Sequence, residues 1–326
     1  MMVAPLLSLK DLRVTFQTMN GQVSAVRGVD LDVAPGEMVG VVGESGSGKS
    51  VTFLGVMGLL PNSAIISGSA TVDGVELVGA PNKTMRAVRG KKIAMIFQDP
   101  LSALNPVYRV GDQIVEMIQS HQHMSKSAAS DRAVELLDIV GIPQPKQRSR
   151  QYPHEFSGGM RQRVMIAMAI SNDPDVLIAD EPTTALDVTV QAQILEVIQR
   201  IQKEMNKAVV MITHDLGVIA RVADRVQVMY AGRVVERAGV DELFSHPTHP
   251  YSEGLLNSLP RVGQDRLQPI PGRPPNMLRP PDGCAFSARC EYATDVCLKG
   301  LPELAPLGPS MTACVRAAEL TLGVKA

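Results

Sequence analysis

The sequence predicts an α/β fold built around a mostly parallel β-sheet. Short apolar runs typical of buried strands alternate with segments of helical apolar spacing. Glycine-rich or acidic residues follow several of these runs, at the strand ends where open α/β sheets bind ligands. The apolar runs lie at residues 38–42, 93–97, 176–179 and 209–213.

Composition narrows the class of protein. The 326 residues suffice for one large domain or two smaller ones. A net charge of -1, 3% aromatic residues and the lack of Trp argue against nucleic acid as a partner. No apolar run reaches the ~18–20 residues of a membrane span, and residues 1–10 lack the features of a secretory signal. We therefore expect a cytoplasmic protein that contacts a membrane only through a partner.

The first elements are predicted as an antiparallel layer. Residues 6–16 and 24–33 have strand character, and an Asn20-Gly21 turn lies between them. This layer leads into the buried strand at 38–42. Phe16 fits two roles equally well at this point, as a core aromatic residue or as a functional side chain.

A glycine-rich loop follows the strand at 38–42. Gly43 to Ser50 reads G-x-x-x-x-G-K-S, and apolar residues of helical spacing follow from Val51. Glycines let backbone N–H groups surround phosphate oxygens, and the helix N-terminus favours the same anion. In this arrangement Lys49 reaches the β- and γ-phosphates and the Ser50 hydroxyl holds Mg²⁺. A chance glycine-rich turn is the alternative. The predicted nucleotide contacts are Gly43, Ser45, Gly46, Gly48, Lys49, Ser50 and Val51.

The middle of the chain is predicted to be mainly helical. A short hairpin is expected at 67–78, and the strand at 93–97 ends before Gln98. Residues 110–140 have helical apolar spacing, and prolines then interrupt the pattern. Ser157-Gly158-Gly159 precedes a further apolar helix, so its N-terminus is a second candidate anion site. The simpler alternative is a core helix with Ser157 as its N-cap.

Acidic residues end the strand at 176–179. Asp180 can hold Mg²⁺ through water, and Glu181 can polarise an attacking water. Two solvated acids are the alternative.

A helix is predicted over roughly 188–205, and His214 follows the next strand, at 209–213. A lone histidine is more often structural than catalytic. A final hairpin is predicted from 226–230 and 233–236.

The order of these motifs resembles the nucleotide-binding subunits of ABC transporters. The Ser157-Gly158-Gly159 signature, about twenty residues before the acidic strand end, distinguishes this family from other phosphate-loop ATPases. The resemblance covers essentially the whole chain. It implies a RecA-like core, an antiparallel β subdomain and an α-helical signature subdomain at about 100–172, together forming a nucleotide-binding domain over 1–245. Residues 246–326 would form a C-terminal extension rich in proline and cysteine.

The resemblance also implies roles for single residues. Phe16 would stack on adenine, and Gln98 would sense Mg²⁺ and the γ-phosphate and relay to membrane subunits. Glu181 would be the catalytic base. His214 would brace the γ-phosphate, and Asp187 would lie at a dimer interface.

The signature motif implies a shared ATP site. In the family, the signature of one subunit caps the ATP held by the phosphate loop of the other, so Ser157, Gly158 and Gly159 would contact a partner's nucleotide. Here the motif reads Phe-Ser-Gly-Gly-Met rather than Leu-Ser-Gly-Gly-Gln. The three residues that would contact phosphate are intact, which predicts an active site.

The tail differs from the rest of the chain in composition. Twelve of the 23 prolines lie between Pro247 and Pro309, so long regular elements are not expected there. All four cysteines lie in the tail, with five, six and sixteen residues between them: Cys284, Cys290, Cys297 and Cys314. This spacing alone leaves an iron–sulfur cluster, zinc and unligated thiols equally open.

The tail resembles the C-terminal extension of oligopeptide and dipeptide importer ATPases. The matching segments are 249–251, 271–276 and 283–297, together with 102–106 and 152–156 earlier in the chain. In that subfamily the four cysteines are associated with a [4Fe–4S] cluster, which we therefore expect here.

The resemblance predicts a function in transport. The chain would hydrolyse ATP at the cytoplasmic face of the cell membrane and power oligopeptide or dipeptide import. Its partners would be a second ABC ATPase, two transmembrane permease subunits and an extracytoplasmic peptide-binding protein. The two ATPases would form a heterodimer, with a homodimer as the alternative. Importers of nickel, glutathione or sugars are the alternative within the class. A non-transport ABC ATPase is disfavoured because coiled coils, paired ATPase domains and basic patches are missing from the sequence.

Overall fold

The computed structural model of the chain describes residues 4–259 and 269–323. These residues form two compact units, each assembled from segments that are distant in sequence. The first unit takes its described residues from 4–7, Val33–Glu37 and Thr71–Met211. The second takes its described residues from Ser8–Asp32, Met38–Ala70, 212–259 and 269–323.

The described chain contains both strands and helices, which alternate in some stretches and follow one another as runs of one type in others. In chain order the strands are β1 (Leu7–Thr18), β2 (Gly21–Val33), β3 (Met38–Val42), β4 (Ala64–Val72), β5 (Val75–Glu76), β6 (Ile93–Ile96), β7 (Val176–Asp180), β8 (Ala208–Thr213), β9 (Arg225–Tyr230), β10 (Arg233–Gly239), β11 (Ala305–Leu307) and β12 (Ser310–Thr312). The helices are α1 (Lys49–Val56), α2 (Asn82–Val88), α3 (Pro100–Ala103), α4 (Val110–Gln119), α5 (Lys126–Ile139), α6 (Pro145–Arg148), α7 (Gly158–Ala169), α8 (Val188–Glu204), α9 (Leu216–Val222), α10 (Val240–Ser245) and α11 (Pro250–Asn257).

The second unit contains β3 and β9 as a parallel pair, in register from Val39 opposite Arg225 to Val42 opposite Val228. Strand β10 pairs antiparallel with β9, and β12 pairs antiparallel with both β10 and β11. All five residues of β3 are buried, which explains why its sequence is continuously apolar. The tail thus contributes two short strands to the sheet of this unit.

The first unit combines a parallel strand pair with a group of helices. Strands β6 and β7 are parallel, in register from Ile93 opposite Val176 to Ile96 opposite Ala179. Helices α4, α5 and α7 pack against one another through buried aliphatic side chains such as Ile114, Leu136 and Ile166. Because β6 and β7 run in the same direction, the residues that follow them lie at the same edge.

The helical region at 110–140 is two helices, whereas the apolar spacing alone predicted one pattern. Helix α4 ends at Gln119 and α5 begins at Lys126. The Ser125 hydroxyl accepts a hydrogen bond from the Ala128 N–H at 3.3 Å, so Ser125 is the N-cap that starts α5. The tail also contains one regular helix, α11, which begins with Pro250 in its first turn.

Among the residues described, none of the helices has both the length and the apolar character needed to cross a membrane.

Candidate nucleotide site

The glycine-rich loop connects β3 to α1 and is shaped by close backbone contacts. Gly43 has φ +151°, and a Cβ at this position would lie 2.1 Å from the Met229 carbonyl oxygen. Gly48 has φ +100°, and its Cβ would lie 2.6 Å from the Ala25 carbonyl oxygen. Any side chain at either position would therefore clash with backbone, so the loop path requires glycine. The predicted strand, loop and helix are confirmed.

Polar groups line the inside of this loop. The Lys49 ammonium group donates to the carbonyl oxygens of Gly43 at 2.7 Å and Glu44 at 3.1 Å. The Gly232 N–H donates to the Ser47 carbonyl oxygen at 2.9 Å, which ties the loop to the β9–β10 turn. The Ser47 hydroxyl is buried and has no hydrogen-bond partner among the described residues. A cation, an unpaired hydroxyl and a helix N-terminus at Lys49 suit a phosphate chain, and Ser50 in the first turn offers a hydroxyl for Mg²⁺. The remaining predicted contacts, Ser45, Gly46 and Val51, are exposed or half-buried.

The carboxylates lie at the end of β7 in the first unit. Asp180 is the last residue of this buried strand and is itself buried. Glu181 follows with φ +46°, a left-handed conformation that is costly for a residue with a side chain. Its carboxylate accepts hydrogen bonds from the Gln98 side-chain amide at 3.1 Å and the Thr184 hydroxyl at 2.8 Å. The structure thus brings Gln98 and Glu181 together, and Thr184 is a contact that the sequence analysis missed.

The signature motif starts α7. The Ser157 hydroxyl accepts from the Met160 N–H at 3.4 Å, so Ser157 is an N-cap, as the simpler alternative expected. Ser157 and Gly158 are exposed. Gly159 has a packing reason, since a Cβ there would lie 2.4 Å from the Val190 side chain on α8. The motif therefore presents an accessible helix N-terminus that a Ser-Gly-Gly sequence fits.

The remaining predicted site residues occupy exposed or half-buried positions. His214 is exposed directly after β8, and Asp215 behind it caps α9 by accepting from the Gly217 N–H at 2.8 Å. Asp187 is exposed and caps α8 by accepting from the Val190 N–H at 3.0 Å. Phe16 is half-buried on β1. The roles that the resemblance gives to these side chains stay predictions.

The predicted site residues are divided between the two units. The phosphate loop, Phe16 and His214 belong to the second unit. The first unit contains Gln98, Ser157, Gly158, Gly159, Asp180, Glu181 and Asp187.

The four cysteines line one small cavity in the tail, next to His249. All four are free thiols, and burial raises the pKa of Cys290 to about 11 and also raises the pKa values of Cys284 and Cys314. Across residues 4–259 and 269–323, no three His, Cys, Asp or Glu side chains are arranged to hold a metal ion. A [4Fe–4S] cluster needs four converging thiolates. The structure therefore does not support the predicted cluster on Cys284, Cys290, Cys297 and Cys314.

Two contacts of Glu44 in the phosphate loop were not predicted from the sequence. The Glu44 carboxylate accepts hydrogen bonds from the Arg289 guanidinium at 2.6 and 2.9 Å. The Glu44 N–H donates to the Tyr251 hydroxyl at 2.8 Å. Glu44 occupies an unspecified position of the loop motif and lies 245 residues before Arg289, so no local pattern in the sequence could have indicated the pair.

Comparison with known proteins gives two family matches and many similar chains. The ABC transporter family matches residues 26–184, and the family described as oligopeptide/dipeptide transporter, C-terminal region, matches residues 235–297. The oligopeptide transport ATP-binding protein OppD of Mycobacterium tuberculosis is 54% identical over 98% of this chain and 53% of that protein. The chain thus spans about half the length of this relative. OppD of Salmonella typhimurium is 50% identical over 96% of this chain and 94% of its own length. The dipeptide transport ATP-binding protein DppD of Bacillus subtilis is 51% identical over 91% of this chain and 90% of its own length.

Solved structures share the fold. A dimeric ATP-binding cassette in a post-hydrolysis state, bound to ADP and Pi, is 27% identical with a TM-score of 0.64, over 72% of this chain and 98% of that chain. The cbiO1 protein of Clostridium perfringens, part of the ABC transporter complex cbiONQ, is 26% identical with a TM-score of 0.62. The match covers 74% of this chain and 91% of that chain. The predicted ABC-type α/β fold is confirmed. The chain belongs to the ABC transporter family, and its residues 235–297 match the oligopeptide/dipeptide transporter C-terminal region.

Proposed function

We propose that this chain is the ATP-hydrolysing subunit that powers import of oligopeptides or dipeptides through a membrane ABC transporter. The observation that carries the proposal is the phosphate loop between β3 and α1. Its glycines at 43 and 48 leave no room for side chains, and the Lys49 ammonium lies on its inner side. The loop N–H groups, Lys49 and Ser50 would hold Mg-ATP. Bound Mg²⁺ would neutralise the charge of the phosphates.

Glu181 is the proposed general base for the attacking water. Hydrogen bonds from the Gln98 amide and the Thr184 hydroxyl hold the Glu181 carboxylate in one orientation. The left-handed backbone at Glu181 supports a functional role, because such strained residues concentrate at active sites. Asp180 would hold Mg²⁺ through water, His214 would contact the γ-phosphate and Phe16 would stack on adenine.

The proposed assembly contains a second ABC ATPase, two transmembrane permease subunits and an extracytoplasmic peptide-binding protein. Exposure of Ser157, Gly158 and Asp187 supports a dimer, because these residues are open to a partner. The chain would lie at the cytoplasmic face of the membrane, bound to the permeases. Residues 1–245 would be the nucleotide-binding domain, with its helical part at about 100–172, and 246–326 the extension.

The proposed substrates rest on the names of the relatives and on the match of residues 235–297. The test is ATP turnover by the complex reconstituted with its permeases and a binding protein. Peptide-loaded binding protein should stimulate turnover several-fold. Stimulation only by a nickel-, glutathione- or sugar-loaded binding protein would contradict the proposed substrate and leave the ATPase role intact. No stimulation by any of them would contradict a role in import.

A further inference from the structure

The second unit contains a partly buried ion pair between the phosphate loop and the tail. The Arg289 guanidinium donates to both carboxylate oxygens of Glu44, at 2.6 and 2.9 Å. The Arg289 side chain is only 4% exposed and that of Glu44 is 28% exposed. A bidentate pair that is partly buried is stronger than a typical surface ion pair and restricts the geometry of both groups.

Arg289 is itself held in place before it reaches Glu44. Its Nε donates to the Pro271 carbonyl oxygen at 2.8 Å, and Nη1 donates to the Tyr230 hydroxyl at 3.3 Å. The guanidinium carbon lies 5.8 Å from the centre of the Tyr230 ring and 5.9 Å from that of Phe286. The hydrogen bond to Glu44 raises the pKa of Arg289 further, so its charge is permanent. These contacts therefore hold the Arg289 guanidinium in one orientation.

Glu44 is also held through its backbone. Its N–H donates to the Tyr251 hydroxyl, and its carbonyl oxygen accepts from the Lys49 ammonium at 3.1 Å. Tyr251 is fully buried, and its ring centre lies 4.6 Å from that of Tyr230. The loop segment beside Lys49 is thus fixed at three points, two of which come from the tail.

We propose that Arg289 and Tyr251 are positioning residues that hold the phosphate loop in the conformation that binds ATP. The inference rests on the proposed ATP site and adds the tail as a determinant of its affinity. Two effects act in the same direction. A loop ordered in advance loses less entropy when it binds phosphates. Arg289 also neutralises Glu44, whose carboxylate would otherwise repel the triphosphate.

The test is the dissociation constant of Mg-ATP for the full chain, measured by calorimetry. Arg289→Ala should raise this dissociation constant about tenfold or more, because the substitution releases the loop and leaves the Glu44 charge unpaired. Arg289→Lys keeps the positive charge but loses the bidentate geometry of the guanidinium. We therefore expect a smaller increase in the dissociation constant. Adding Glu44→Gln to Arg289→Ala should recover part of the lost affinity, since it removes the unpaired charge.

Arg316→Ala is the matched control. Arg316 is another tail arginine. It donates to the Glu319 carboxylate at 3.0 Å and to the Tyr292 carbonyl oxygen at 2.6 Å, and neither group belongs to the loop. This variant should therefore bind Mg-ATP within about twofold of wild type. In the assembled transporter Arg289→Ala should raise KM for ATP with little change in kcat, which a general loss of folded protein would not produce.

Unchanged affinity in a folded Arg289→Ala chain would overturn the inference, and so would a failure of Glu44→Gln to restore any binding. Thermal unfolding reports whether the variant is folded. If Arg289→Ala does not fold, Tyr251→Phe tests the inference instead. This substitution removes only the hydroxyl that accepts a hydrogen bond from the Glu44 N–H. A severalfold weaker affinity of Tyr251→Phe supports the inference, and wild-type affinity overturns it. A wild-type chain that does not bind Mg-ATP would instead overturn the proposed function.

Discussion

Glu181 is the residue on which the proposed chemistry depends. Glu181→Gln keeps the size of the side chain and its acceptor oxygen for Thr184, but it cannot take a proton from water. We expect near-normal Mg-ATP binding and turnover reduced by about 10²-fold or more, as for the loss of a general base. Calorimetry and phosphate release measure the two quantities on one preparation.

Glu204→Gln is the control for this substitution. Glu204 is an exposed acid at the end of α8 in the same unit. Its replacement should leave both binding and turnover unchanged. Turnover of Glu181→Gln close to wild type would show that Glu181 is not the base.

At the scale of elements, the stability cost of replacing glycine by alanine should differ strongly between positions of the β3–α1 loop. Gly43→Ala places a Cβ 2.1 Å from the Met229 carbonyl oxygen, so β9 or the loop must move. We expect the free energy of unfolding to fall by about 2–4 kcal/mol. Gly46→Ala also has positive φ but meets no atom within 4 Å, so it should cost only about 1 kcal/mol. Urea unfolding compares the two, and equal losses would contradict the observed loop path.

His249, the N-cap of α11, should make stability depend on pH. Its side chain accepts from the Tyr251 N–H at 3.0 Å, and burial lowers its pKa from 6.5 to about 3. Between these values the unfolded chain binds a proton that the folded chain does not, so stability present above pH 6.5 is lost as the pH falls. This group should lower the free energy of unfolding by about 2 kcal/mol between pH 8 and pH 5.

His249→Asn keeps an acceptor at the cap but does not titrate. The wild-type chain should therefore lose about 2 kcal/mol more than this variant on going from pH 8 to pH 5. Contributions from other groups, such as the buried Glu236 that accepts from the His249 N–H, cancel in this comparison. Parallel pH profiles of the two proteins would show that His249 is not held neutral in the folded chain.

Continuous apolar runs are a strong local signal, and they predicted five buried strands to within one residue, whereas β2 begins and β10 ends three residues beyond the predicted bounds. Strands β6, β7, β8 and β9 illustrate the close agreement. The interruption between α4 and α5 was not predicted, since no proline or glycine marks residues 120–125. Short helices such as α2 and α9 were missed because seven residues carry too little periodicity.

The candidate site was predictable where its chemistry is local. The phosphate loop and the acidic strand end are short motifs with fixed spacing. The contact of Gln98 with Glu181 follows from the pairing of β6 with β7, which sequence periodicity alone does not specify. The Arg289–Glu44 pair depends on the path of the tail, and a proline-rich composition gives no information about that path.

At the scale of the whole molecule, the chain is proposed to convert ATP hydrolysis into work on membrane partners. Its two compact units each carry part of the predicted site. The most direct measurement is uptake of a labelled peptide into vesicles that contain the assembled transporter, with ATP on the side of this subunit. We expect uptake that requires ATP and that Glu181→Gln abolishes. Uptake that proceeds equally well without ATP, or at the wild-type rate with Glu181→Gln, would contradict the account.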